Sequence, residues 1–94
     1  MTKSIYTMVG MKHRGAEEQV RSLKPGAVIS LEREPTNGYD PNAVKVFVGD
    51  RFVAYVKATE ARSLAASMDA RGVKRIEGKF AVTADRYPAV ETDE

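Results

Sequence analysis

The sequence contains no cysteine, no tryptophan and a single histidine, His13. Without thiols there is no disulfide framework, no thiolate zinc site and no cysteine nucleophile. The same absence fits a reducing cytoplasm, which is the expected location. One histidine cannot supply a pair at metal-ligand spacing. His13 sits between Lys12 and Arg14, with no evident partner to orient it as a base. No metal or cofactor is implied. No apolar run approaches the roughly 20 residues of a membrane span. The start, Met1-Thr2-Lys3-Ser4-Ile5, lacks the apolar block of a secretory signal.

What is present describes one small domain. The chain has 94 residues, 43% hydrophobic and 30% charged. That composition suits a folded protein with one modest core. Residues 1–94 are expected to form a single domain with its core over about 4–90. Residues 91–94 read as an acidic, frayed tail. Fifteen Lys and Arg face thirteen Asp and Glu, a net charge of +2. Without Glu91, Asp93 and Glu94 the balance is fifteen to ten, or +5. A surplus of that size leans toward an anionic partner.

Short β-like runs alternate with two helical ones. Ser4 to Met11 is rich in Ile, Tyr, Thr and Val and reads as a strand, with Gly10 marking a bend. Ala16 to Leu23 reads as a helix, closed by Lys24-Pro25-Gly26. Ala27 to Glu34 alternates as a second strand. Pro35 to Asn42 is crowded with turn formers and reads as a loop. Val44 to Val48 and Arg51 to Val56 flank Gly49-Asp50 as a hairpin. Thr59 is the expected cap of a second helix running to about Arg71, with Gly72 as its C′ residue. Val73 to Val82 and Arg86 to Val90 complete the set, Pro88 suggesting an edge strand. The sum is a mainly β fold of about six strands with two short helices. Glycines inside short strands favour a small, bent, OB-like or SH3-like antiparallel barrel over a flat α+β sandwich.

Catalytic patterns are sparse. Glu77-Gly78-Lys79, with Asp50 or Asp69 upstream, has the outline of a magnesium-dependent nuclease, but three-residue patterns arise by chance. The loop Thr36-Asn37-Gly38-Tyr39-Asp40-Pro41-Asn42 carries more. Turn chemistry explains Asn37 and Asp40, but not an aromatic ring at a polar loop tip. Tyr39 offers a base a stacking surface, and Arg33 and Lys45 flank the loop with positive charge. Tyr55 reads as a core residue.

Val9-Gly10-Met11, Leu31-Glu32-Arg33-Glu34-Pro35 and Asn37-Gly38-Tyr39-Asp40-Pro41-Asn42-Ala43-Val44-Lys45-Val46 together resemble the HIRAN domain. Tyr55-Val56 and the Ala/Leu-rich helix after it continue the likeness, which spans roughly residues 4 to 90. The resemblance implies an OB-like barrel that grips the 3′-hydroxyl end of single-stranded DNA, as in fork-remodelling helicases that act in DNA repair. A motor does not fit in 94 residues, so a separate helicase or nuclease is the implied protein partner. By resemblance, Tyr39 stacks on the terminal base, Asp40 accepts a hydrogen bond from the 3′-hydroxyl, and Asn37 and Lys12 match the family's asparagine and phosphate-binding basic residue. The chain departs from the family at His13, which replaces an aromatic, and at Gly38, which replaces a proline. Ala54 replaces a glycine, and Lys57 replaces a proline and adds a cation.

The expected function is therefore a non-enzymatic, single-stranded DNA-binding module with a preference for 3′ ends. Its expected contacts are Lys12, His13, Arg33, Asn37, Tyr39, Asp40 and Lys57. The alternative is a protein-interaction adaptor that uses the same barrel face without nucleic acid.

Overall fold

Alternating β-branched residues give the chain strands with one apolar side, and closing those strands on themselves hides that side from water. A computed structural model describes residues 3–93 and shows how this is done. The strands are β1 (Ser4–Val9), β2 (Val28–Arg33), β3 (Val44–Val48), β4 (Arg51–Val56), β5 (Arg75–Val82) and β6 (Pro88–Thr92). They form a closed antiparallel barrel in the order β1-β4-β3-β2-β5-β6. A 3-10 turn spans Lys12–Arg14, and the helices are α1 (Glu17–Arg21) and α2 (Ala58–Ala70). This is the mainly β, OB-like barrel with two helices that the alternation suggested.

Met8, Ile29, Leu31, Val44, Val46, Val53 and Val90 fill the interior. Ala61, Leu64, Ala65 and Met68 of α2 are also fully buried and join the same core. Burying a Leu or Met side chain contributes about 1.5–3 kcal/mol, so the apolar stripe of α2 is enough to hold the helix on the barrel. α2 packs on β1, β3 and β4.

Gly78 lies where β5 crosses β6 closely. A Cβ there would stand 2.6 Å from the Glu91 carbonyl oxygen and 2.7 Å from Val90 Cγ2. The barrel's bend therefore needs this glycine. Gly72 closes α2 with φ +66° as expected. Its N–H bonds the Asp69 carbonyl and that of Val73 bonds Met68, the paired pattern of a Schellman stop.

Several expectations are corrected. α1 spans Glu17–Arg21 rather than Ala16 to Leu23. α2 begins at Ala58, and Lys57, not Thr59, is its N-cap. The Lys57 carbonyl accepts the N–H groups of Glu60 and Ala61, while its own N–H bonds Thr7 of β1, so the helix starts where the chain leaves the sheet. Pro88 opens β6, which pairs on both sides and is not an edge strand. It is tolerated because the β1 ladder begins one residue later, at Thr7–Ala89. β6 continues through Thr92, which is buried opposite Ser4, so only Asp93 of the described residues remains beyond the strands. Glu94 lies outside the described residues.

Candidate nucleic-acid interface

The loop between β2 and β3 is shaped by its own polar side chains. Asn37 Oδ1 accepts hydrogen bonds from the N–H groups of Tyr39 (2.8 Å) and Asp40 (3.0 Å). Its Nδ2 donates to Glu34 Oε1 at 2.7 Å and to the Tyr55 hydroxyl at 3.3 Å. The Tyr55 hydroxyl donates to the same Glu34 oxygen at 2.8 Å, and Lys45 Nζ lies 3.0 Å from the other. Burial alone raises the Glu34 carboxyl, but the hydrogen bonds from Asn37, Tyr55 and Lys45 outweigh it and hold it below its usual range. Tyr55 is pushed up, by burial first and then by its bond to charged Glu34.

With its base fixed in this way, the loop presents Tyr39 wholly to solvent, at 102% relative exposure. Asp40 is half-buried. One of its carboxylate oxygens accepts the Asn42 N–H at 2.9 Å, and the other has no partner among the described residues. Tyr39 and Asp40 edge an open concavity of about 410 Å³, whose apolar floor includes Val9, Ala43, Tyr55 and Val56. An aromatic ring, an unspent carboxylate oxygen and an apolar floor can together hold a flat, apolar-faced group that carries a hydroxyl.

The structure thus brings Asn37, Tyr39 and Asp40 together. It gives Arg33 a different setting. That side chain is only 6% exposed, and its guanidinium bonds Asp69 through Nε (2.9 Å) and NH2 (3.1 Å). Its NH1 donates to the carbonyls of Pro41 and Ala43, each at 3.0 Å. Arg33 is the strut between the loop and α2, and its hydrogen bonds, helped by its charge, hold the exposed Asp69 carboxyl below its ordinary value. Lys12 and His13 lie exposed on the 3-10 turn just past Val9, and Lys57 is exposed between Val56 and Ala58 at the concavity's margin. None of the three lines the concavity itself.

Two participants were not evident from the sequence. Tyr55 is half-buried rather than core, and it joins Glu34 in holding the loop. A contact between residues 21 apart in the sequence leaves no local signal. Of the carboxylates in the nuclease outline, Asp69 is engaged by Arg33, Glu77 on β5 pairs across from Ser30 of β2, and Asp50 sits in the β3–β4 turn. No group of three or more His, Cys, Asp or Glu that could hold a metal occurs among the described residues. Nor is any helix there long and apolar enough to cross a membrane. A second hollow of about 280 Å³, walled by Val20, Phe80 and Pro88 among others, contains none of the expected contacts.

Two crystal structures share the fold. One is a protein from Lactobacillus plantarum (TM-score 0.74, 22% identity, covering 96% of this chain and 95% of that one). The other is the HIRAN domain of human HLTF (TM-score 0.67, 24% identity, 98% and 77%). No curated protein sequence matches the chain. The HIRAN domain family model matches residues 2–89. That match covers β1 to β5 and the start of β6, together with the loop that carries Asn37, Tyr39 and Asp40, and by it the chain belongs to the HIRAN domain family of DNA-binding modules.

Proposed function

We propose that this chain binds single-stranded DNA and captures its 3′-hydroxyl end in the concavity beside Tyr39. The carrying observation is a fully exposed aromatic ring on a loop whose turn is closed by hydrogen bonds to Asn37, next to an apolar floor. Tyr39 stacks on the last base. Stacking of this kind is worth about 1–3 kcal/mol per base. The free carboxylate oxygen of Asp40 accepts the hydrogen bond of the 3′-hydroxyl. Lys12, His13 and Lys57, exposed around the margin, contact the phosphates that follow. Arg33 acts indirectly, by holding the loop. No step of this function is catalytic.

The test compares a linear strand with a 3′-hydroxyl, the same strand with a 3′-phosphate, and a closed circle. A hydrogen bond to a charged acceptor is worth roughly 1.5–3 kcal/mol, so the hydroxyl end should bind best. The phosphate end brings negative charge against Asp40, and the circle has no terminal hydroxyl. Asp40→Asn should narrow the gap between hydroxyl and phosphate ends. Equal affinity for all three strands overturns end capture. No binding by folded protein at low salt overturns the DNA reading and leaves the adaptor.

A further inference from the structure

We infer that the outer face of the β3–β4 hairpin is a second nucleic-acid subsite, taking the nucleotides on the 5′ side of the captured end. The inference rests on the reading of the chain as a single-strand binder and extends it.

Phe52 and Tyr55 are three apart on β4, a spacing that normally sends side chains to opposite faces of a strand. The pairing of β3 with β4 is shifted between Val46 and Phe47, and Val53 is the extra residue of the bulge. Bulges re-aim side chains in this way. Here the result is that both rings share one face, edge to face at 5.1 Å between centroids. Phe47, across the ladder from Phe52, adds a third ring at 5.7 Å. The row starts inside the concavity, because Tyr55 helps to line it, and runs outward along the hairpin.

Positive charge follows the same row. Arg14 Cζ lies 4.2 Å from the Phe52 centroid and Lys45 Nζ lies 5.0 Å from it, while Arg75 Cζ lies 5.2 Å from that of Phe47. Arg51 stands beside Arg14, bonded to the carbonyls of Arg14 and Gly15 and to Gln19. The carboxylates on this face include Glu34, which engages Lys45, Glu32, 3.9 Å from Arg75, and Glu77, which lies in line with Phe47 across Ser30 at the far edge of the row. Arg14 and Arg51 have no carboxylate partner among the described residues. A guanidinium stacked on a ring keeps its other face and its N–H edges for a base and a phosphate. Alternating rings and cations along a groove are how single strands are held without sequence preference.

The experiment titrates wild-type protein with 5′-fluorescein oligothymidylates of two, four, six and eight nucleotides, all with a 3′-hydroxyl. Affinity should rise about tenfold between the dinucleotide and the hexamer, one further base stack's worth. Arg14→Glu, on the exposed 3-10 turn, should flatten that rise while leaving dinucleotide affinity within about twofold. Phe52→Ala should do the same where circular dichroism shows it folded. Lys79→Glu makes the same charge change on β5, opposite Glu91 of β6 and four residues past Arg75, and should leave the rise intact. Tyr39→Ala should weaken every length. Equal wild-type affinity for two and six nucleotides overturns the second subsite but not end capture. So does an equal loss from Arg14→Glu and Lys79→Glu. Absence of binding at every length overturns both.

Discussion

Asn37 uses both ends of its amide inside one loop, accepting two backbone N–H groups and donating to Glu34 and to Tyr55. Asn37→Ala should cost roughly 1–3 kcal/mol, since partly buried partners lose their bonds at once; urea unfolding measures it. The network also has a pH signature. Glu34 titrates below its ordinary value in the folded protein, so the unfolded chain takes up its proton first on acidification. Its stabilisation is complete above the usual glutamate range near ~4.3 and is lost as pH falls through the lower folded value. Tyr55 is raised, so its share is complete below ~10 and is lost as pH climbs through the folded value. Urea midpoints across pH should show both slopes, and Tyr55→Phe should weaken both. Unchanged slopes in that variant would place their origin elsewhere. At this scale the sequence was legible where the chemistry is local. Asn37 and Asp40 are within three residues of their backbone partners, and turn preference finds them. Arg33 looked like a free cation because its partner, Asp69, is 36 residues away.

Elements were legible to the extent that their signals repeat. The alternation of Val44, Val46 and Val48 and the spacing of Ala61, Leu64, Ala65 and Met68 gave β3 and α2, with their inward faces. The Schellman stop at Gly72 followed from a glycine in the right place. What escaped were features imposed by a neighbour. The α2 start is set by the Thr7 carbonyl, the tolerance of Pro88 by the ladder beside it, and the β4 bulge by its pairing with β3. Gly78 sits between these cases: suspected from sequence, and explained by the carbonyl that a side chain would strike. Gly78→Ala should destabilise by about 1–3 kcal/mol, because a ladder carbonyl cannot withdraw as a flexible side chain can. That loss lowers the melting temperature by about 4–8 °C per kcal/mol in a chain of this size. Gly38→Ala, with open space around it and no positive φ, should change the melting temperature little.

For the whole molecule, the barrel class was legible but the strand order was not, since β1 beside β4 and β2 beside β5 are pairings no local pattern encodes. A modest net charge of +2 bounds the electrostatics of binding. With two to four phosphates contacted, log K should fall against log salt with a slope of roughly −1.4 to −2.8. A much steeper slope would mean a larger footprint, and no slope would remove phosphate from the account. The last consequence comes from how α2 is fastened. Glu60 bonds the N–H and hydroxyl of Thr7 near one end of the helix, and Asp69 grips Arg33 near the other. Arg33 in turn holds the carbonyls of Pro41 and Ala43, so helix, loop and barrel are tied into one frame. Under the proposed function, an arriving strand should meet a socket whose ordering entropy was spent during folding, not on contact. Encounter then needs no slow reshaping of the protein. Collision and charge steering should then set how fast the complex forms, and differences between ligands should appear in how long each one stays.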